Sequence, residues 1–315
     1  MLPDVVATNG FSLDRLATLC AVVESGSISI AAGPSTSRQS QFSRQIKELE
    51  LAVGAKLFER NGKSLKPTAF GLQLARMSRT FFSAVADLAS QETEKPGQVQ
   101  VGGGEGMLRW VMVPCIGALR DLDPPIHCKV RNLRSADIIR ELELGGIDVG
   151  LVRKSAITEN LMWERVGTFE FTLVVPRRLL RTRSGDEVFV GRPLPYAELS
   201  GEGQLATAAR EISKRAGIRL NRVVQAETLS LLLASVEHED AAAFLPIPAI
   251  AGLPEDRFAQ VDLENIENLS REMVLAWLPD AADQKPNIKR ATRILARRLQ
   301  QTMADFSRGI DRPGI

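Results

Sequence analysis

The stretch SRQSQFSRQIKELE, Ser37–Glu50, decides how the rest of the chain is read. Phe42, Ile46 and Leu49, followed by Val53, recur at the spacing of one stripe of an α-helix and so turn toward a core. Ser40, Ser43, Arg44 and Lys47 fall on the opposite face, and none of them is apolar or acidic. Thr36 with Gln39 forms the pattern of a capping box and predicts the helix start. Short hydroxyl, amide and guanidinium groups on the N-terminal half of an exposed helix are what base edges and phosphates in a DNA major groove require. Taken alone, the segment reads equally as a solvated amphipathic surface helix. Its neighbours decide.

Upstream, Ser12 is placed to cap a first helix whose stripe is Leu13, Leu16, Cys20 and Val23, with Gly26 to stop it. Ser27 then caps a short helix, Ile28–Ala32, which Gly33-Pro34 breaks. Two helices joined by so short a connection, the second basic on its outer face, make a helix-turn-helix. Downstream, Asn61-Gly62 is a strong hairpin turn, and with Lys63 and Lys66 beyond it the segment predicts a small basic wing. Between Ser35 and Phe70 seven basic residues face three acidic ones, although the whole chain has a formal net charge of only +2. A basic N-terminal module on a near-neutral body points to a polyanion contacted by one end.

A chain of 315 residues suits two or three domains, at ~100–200 residues each. Cys20, Cys115 and Cys128 are too few and too separated for a disulfide framework, and with two histidines no metal spacing occurs. They read as buried thiols in a reducing compartment. Met1–Gly10 lacks periodicity and reads as a loose tail. No apolar run approaches the ~20 residues of a membrane span, and no secretory pattern opens the chain, so a cytoplasmic protein is expected.

The run from Phe11 to Gly71 resembles the DNA-binding domain of LysR-type transcriptional regulators. The matching pieces are Gly26-Ser27, Ala31-Ala32, Gln39-Ser40, Ser43-Arg44-Gln45-Ile46, Leu49-Glu50, Gly54, Leu57-Phe58-Glu59-Arg60, Leu65, and Thr68 with Gly71, in order and without a gap. The resemblance implies that Gln39, Ser40, Ser43 and Arg44 lie at the DNA, joined by Lys47 from the reading face, and that Arg60, Lys63 and Lys66 approach the backbone. One departure is the turn Gly33-Pro34-Ser35-Thr36-Ser37, which has serines at 35 and 37 where the family has apolar residues. Weaker packing between the second and third helices is expected.

From Thr68 to about Glu94 a longer helix is indicated, with Leu72, Ala75, Phe82, Val85 and Leu88 on one stripe. In the family this is the linker helix that pairs two subunits, which implies a homodimer or homotetramer. The competing reading is that the stripe packs on its own chain. Pro96-Gly97 ends the helix. The division is then a winged helix-turn-helix over 1–67, a linker helix over 68–95 and a body over 97–315.

The body alternates. Strand-like Val99–Val101, Ile126–Val130, Ile147–Val152 and Phe171–Val175 are separated by helical Met107–Leu119 and Ser135–Leu144. A second series follows with Val188–Val190, Gln204–Ala216, Val223-Val224, Leu229–Val236 and Ala242–Leu245, then strand Met273–Trp277 and a last helix carrying Ile288, Leu295, Leu299 and Met303. Through Val99-Gln100-Val101-Gly102, Ile147–Val152, Val174-Val175-Pro176, Ala216-Gly217-Ile218 and Phe244-Leu245-Pro246 it resembles the LysR effector-binding domain, itself similar to type 2 periplasmic binding proteins. The resemblance implies two α/β lobes: lobe I about 97–175 and 269–315, and lobe II about 176–268, with crossovers near Pro176 and Leu269.

Catalytic chemistry is sparse. Gly102-Gly103-Gly104-Glu105-Gly106 invites a dinucleotide-binding reading, but Met107 stands where that fingerprint needs its third glycine. His127 and His238 lie apart with no triad spacing. A metabolic enzyme with a nucleotide-binding body is therefore the weaker alternative, and no cofactor is expected. Ligands of open α/β sheets sit beyond the carboxyl ends of strands, at helix N-termini. That rule selects Gly104, Ser135, Arg153, Ser155, Gly203 and Thr228 as candidate effector contacts and favours a small anion. Ser135 and Thr228 read equally as ordinary helix caps, and a regulator whose cleft holds no ligand stays open.

Overall fold

The computed structural model describes residues 10–61, 64–92, 96–183, 186–188, 193–200, 204–238, 240–261, 263 and 269–307. Helix α1 (Leu13–Ser25) starts where Ser12 accepts a hydrogen bond from the Arg15 N–H, and it stops at Gly26 with φ 70°. The short α2 (Ile28–Ala32) and the 18-residue α3 (Thr36–Val53) follow. Leu16, Leu19, Val22 and Val23 of α1 bury against Ile46 and Leu49 of α3, with Leu57 and Phe58 closing the far side of this core.

The helix start differs from the capping-box expectation. Ser35 is the cap of α3, its Oγ accepting from the Arg38 N–H at 3.4 Å. Gln39 donates from Nε2 to the Gly33 carbonyl at 3.1 Å, so its amide ties the turn. Ser35 and Ser37 point to solvent with their hydroxyls 2.9 Å apart. Where apolar packing was expected to be weak, a side-chain-to-carbonyl bond and the buried methyl of Ala32 hold α2 against α3.

Strands β1 (Phe58–Asn61) and β2 (Ser64–Pro67) pair antiparallel as the wing. Thr68 then donates to the Lys56 carbonyl at 2.7 Å and accepts from the Gly71 N–H at 2.9 Å, which anchors helix α4 (Ala69–Glu92) to the wing. A Cβ on Gly71 would meet the Leu57 carbonyl oxygen at 2.2 Å, so this close approach requires glycine.

The apolar stripe of α4 divides. Ala75 is fully buried, its carbonyl accepting from Cys20 Sγ at 3.4 Å, and Leu72 and Phe82 pack on the same core with Leu74. These three expected pairing residues therefore face their own chain, because the small helix-turn-helix needs α4 to close its core. Val85 and Leu88 do lie exposed, in line with Phe70, Met77 and Phe81, which the sequence reading passed over.

Strand β3 (Gly97–Gly103) opens the body. A helix made of an α turn (Glu105–Met107), a π segment (Leu108–Met112) and a regular stretch (Val113–Arg120), together α5, leads to β4 (Ile126–Asn132), α6 (Ser135–Glu143) and β5 (Val149–Arg153). These strands are parallel, and β14 (Arg271–Trp277) and β6 (Met162–Phe169) add antiparallel, giving the order β4-β3-β5-β14-β6. The final helix α11 (Pro286–Ser307) covers this sheet with Ile288, Leu295, Leu299 and Met303, all buried as their spacing predicts. Inside lobe I, Lys285 meets Asp148 at 3.0 Å, both buried, and the second Asp148 oxygen accepts from the Gln100 N–H at 2.8 Å.

The first crossover falls at Glu170 rather than near Pro176. Strand β7 (Phe171–Pro176) is the centre of the lobe II sheet, flanked antiparallel by β12 (Ala243–Pro246) and β13 (Phe258–Val261). Phe169 and Phe171 meet edge to face at 5.4 Å across this crossover. Strands β10 (Leu194–Leu199) and β11 (Leu220–Ala226) pair parallel around helix α7 (Gln204–Arg215) and join β12 through a bridge from Tyr196 to Ala242. Helices α8 (Leu229–Glu237), α9 (Ile247–Ile250) and α10 (Pro279–Gln284) complete the fold. The expected strand at Val188–Val190 is instead the end of a hairpin, β8 (Arg181–Arg183) with β9 (Asp186–Val188); residues 189–190 lie outside the described ones.

Candidate nucleic-acid interface and effector cleft

On α3 the exposed positions are those that the helical period puts opposite Ile46 and Leu49. Ser40, Arg44 and Lys47 are exposed, whereas Ser43 and Gln39 are half-buried. Arg44 Nε lies 3.2 Å from Glu48 Oε1, one turn along the helix. Glu48 is held from the other side by Arg15, whose Nε donates to Oε2 at 2.9 Å. That hydrogen bond, ahead of the charges of Arg15 and Arg44, keeps the Glu48 carboxyl below its usual range.

Sequence reasoning missed Thr36, Ser37, Arg38 and Gln41, exposed on the first turns of α3, with Arg38 stacked 5.5 Å from the Phe42 ring. Marking them as exposed required knowing where the helix starts and what Phe42 packs against. In the wing, Lys66 is exposed and Arg60 sits in register opposite Leu65, while Lys63 lies outside the described residues. Glu50 fixes the wing to α3, because its Oε1 accepts from the N–H groups of Leu57 (2.9 Å) and Phe58 (3.4 Å) while Oε2 meets Lys56 at 2.9 Å. Burial works to raise the Glu50 pKa, but Lys56 and the two N–H groups outweigh it and hold the carboxyl low.

In the body, the carboxyl ends of β3, β4 and β5 meet at one edge. Arg153, at the end of β5, donates from Nε to Ser135 Oγ at 3.4 Å, so two candidate residues converge. Ser135 is the first residue of α6 and not its cap, since Arg134 occupies that position. Ser155 is exposed on the following turn, in a hollow shared by Arg153, Lys154, Arg271 and Ala208 of α7 across in lobe II. Arg271 is the contributor that sequence reasoning missed. Burial first, and then the charge of Arg153, lowers its pKa, so two guanidiniums lie close in a partly dry setting, while Lys154 in the same hollow is paired with Glu272 at 3.2 Å.

Thr228 stands apart from this pair. It caps α8, its Oγ1 accepting from the Leu231 N–H at 3.2 Å. Its helix instead brings Ser230 and Leu229 onto the start of α5: Ser230 donates to Glu105 and accepts from Arg109 Nη1 at 2.7 Å, which bonds lobe II to lobe I. Gly104 is at this junction, one residue ahead of Glu105, with open space where a Cβ would stand. Gly203 lies outside the described residues. Among the described residues no group of His, Cys, Asp or Glu has the composition of a metal site, and no helix is long and apolar enough to cross a membrane.

Residues 13–72 match the family described as bacterial regulatory helix-turn-helix protein, lysR family, and residues 92–300 match the LysR substrate binding domain. Among curated relatives, the probable HTH-type transcriptional regulator LrrA of Synechococcus elongatus is 25% identical over 256 residues, covering 78% of this chain and 84% of LrrA. The HTH-type transcriptional regulator GbpR of Rhizobium radiobacter is 24% identical over 296 residues, covering 87% and 95%. Among solved structures, full-length LysG of Corynebacterium glutamicum with bound effector Arg aligns with a TM-score of 0.63 at 16% identity, over 91% of this chain and 98% of that one. Vibrio fischeri DarR in complex with DNA aligns at 0.52 and 18% identity, over 91% and 98%. The second family match alone spans more than half of the residues. The chain belongs to the LysR family of transcriptional regulators.

Proposed function

We propose that this regulator reads duplex DNA with the outer face of α3 and the wing, pairs through the exposed stripe of α4, and reports a small anion held between its lobes. It acts in the cytoplasm on promoter DNA. The observation that carries the effector reading is the juxtaposition of Arg153 and Arg271 beside Ser135 at the carboxyl edge of the lobe I sheet. An anion there relieves the repulsion of two like charges and accepts bonds from both guanidiniums. Ser135 and Ser155 add hydroxyl donors, while Gly104 and Thr228 belong to the separate junction at which α8 meets α5.

Coupling then follows from where the lobes touch. The Glu105–Ser230–Arg109 bonds are made only when α8 rests on α5, so a ligand that favours closure favours these bonds too. The test is thermal denaturation of the full chain with a panel of small carboxylates and phosphates. The right anion should stabilise it by about 2.7 kcal/mol at a hundredfold excess over its dissociation constant. Arg153→Ala and Arg271→Ala should each remove that gain. A ligand that stabilises both variants as well as the parent would overturn the reading, as would steady turnover of the ligand.

A further inference from the structure

Gln39 and Gln41 stand two residues apart on α3, which turns their side chains about 200° from one another. Gln39 heads the inward stripe, since Phe42, Ile46 and Leu49 follow it at steps of three, four and three, and Ile46 and Leu49 are buried. Its amide is engaged locally. Nε2 donates to the Gly33 carbonyl at 3.1 Å, and because only the NH2 end of an amide can bond a carbonyl, that bond also fixes which way the group points. Gln39 is half-buried and holds the turn between α2 and α3.

Gln41 lies on the other side of the helix. Ser37 precedes it by four residues and Arg44 follows it by three, so the three share one stripe, and all are exposed. The Ser37 hydroxyl is 2.9 Å from that of Ser35, and the Arg44 guanidinium is drawn to Glu48. The Gln41 amide has no partner among the described residues, which leaves its oxygen and its NH2 group both open. An exposed glutamine is ordinary on a helix surface. What distinguishes this one is its place, in the second turn of the helix whose N-terminal residues meet base edges when a helix-turn-helix enters a major groove.

We propose that Gln41, and not Gln39, is the amide with which this regulator reads a base, and that the base is adenine. The proposal rests on the reading of α3 as the helix that enters the groove. Adenine is the one base that presents an acceptor beside a donor there, so a free primary amide matches it twice, Oε1 accepting from N6–H and Nε2 donating to N7. Gln39 would have to give up the Gly33 carbonyl and leave the inward stripe to do the same. Arg44, three residues beyond Gln41, then meets phosphate and sets the register of the helix on the duplex.

The test is selection of binding sites by the full chain from a pool of duplexes with a randomised core, followed by titration of the selected duplex and its single-base variants. The parent should enrich a motif with a fixed adenine. Gln41→Ala should lose the preference at that position alone, a change of about tenfold between A·T and the other pairs. Its salt slope should stay that of the parent, because no phosphate contact is removed. Gln41→Arg should enrich guanine at the same position, since an arginine fork matches O6 and N7. Gln39→Ala should lower the melting temperature and keep the motif. The proposal is overturned if Gln41→Ala or Gln41→Arg still enriches the adenine, or if Gln39→Ala loses it while keeping the rest of the motif. Failure of the underlying reading looks different: the parent then enriches no motif, or Arg44→Ala leaves affinity and salt slope unaltered, and the proposal falls with it.

Discussion

Arg79 of the linker helix donates to the Leu144 carbonyl of lobe I at 2.9 Å, and its other terminal nitrogen donates to the Cys20 carbonyl of the first helix at 3.0 Å. One guanidinium thus joins the DNA-binding module, the linker and the effector body, with Glu24 at 3.6 Å as its counter-charge. Leu144 ends α6, whose first residue is Ser135 in the cleft. A displacement of α6 at its Ser135 end would therefore act on Arg79 through the Leu144 carbonyl at the other end of the same helix.

Arg79→Ala should accordingly separate sensing from DNA binding. Each charged hydrogen bond lost is worth about 1.5–3 kcal/mol, so the melting temperature should fall. Affinity for operator DNA without ligand should change by less than about threefold, a difference under 1 kcal/mol. The ligand-dependent change in a gel-shift titration should disappear. If it persists at full size, the signal travels by another route.

The exposed face of α3 makes a distinct prediction for salt dependence. Arg44→Ala and Lys47→Ala should each lower affinity for any duplex and reduce the slope of log affinity against log salt by about 0.9. Ser40→Ala should leave that slope alone and relax sequence preference. Slopes measured at several salt concentrations on matched and mismatched duplexes distinguish the two classes. Parallel slopes for all variants would remove α3 from the interface.

Adjacent phenylalanines on α4 test how its stripe is divided. Phe81 is 49% exposed, whereas Phe82 packs on the core of its own chain. Phe81→Asp together with Val85→Asp should yield a folded monomer by light scattering, because charges would enter the helix pair. Phe82→Asp should instead lower stability by several kcal/mol, about 3–5 being typical for a lost core aromatic. An unchanged oligomer in the first variant would assign pairing to the body.

Acid should loosen the wing through Glu50. Its folded carboxyl titrates below the unfolded value, so its stabilising contribution is complete above the unfolded value and is lost as pH falls through the folded one. Amide exchange at Leu57 and Phe58, normalised for the intrinsic rate, should speed up over that window, and Glu50→Gln should exchange fast at all pH values. Protection that is flat with pH in the parent would show that Lys56 and Glu50 do not hold the wing.

Much of this architecture was legible in the chain itself, and for local reasons. Ser12 and Gly26 bound α1 as read, since caps depend only on a few neighbouring backbone groups. Ile288, Leu295, Leu299 and Met303 announced a buried helix face by period alone, and the strands on either side of the Asn61-Gly62 signal pair as a hairpin would, Gly62 itself lying outside the described residues. Other strands were invisible: β6, MWERVGTF, is exposed over its first half and alternates nothing, and β10, LPYAEL, buries Glu198 because Arg210 and Arg222 arrive from elsewhere in lobe II. The crossover at Glu170 depends on which sheet β7 joins, and nothing within Phe171–Pro176 encodes its partners β12 and β13.

The residues that meet at the sites follow the same rule. Chemical type was readable for Arg153 and Ser135, which lie at strand and helix ends that sequence patterns mark. Arg271 could not be placed beside Arg153, because β14 returns from the far lobe and pairs with β5 only in three dimensions. Nor could the chain say which side of α4 closes its own core, since Phe81 and Phe82 are equally apolar and differ only in the direction that α1 approaches. Periodicity is a property of one segment and is written in its residues, whereas adjacency between segments is decided when burial and hydrogen bonding are satisfied for all of them together.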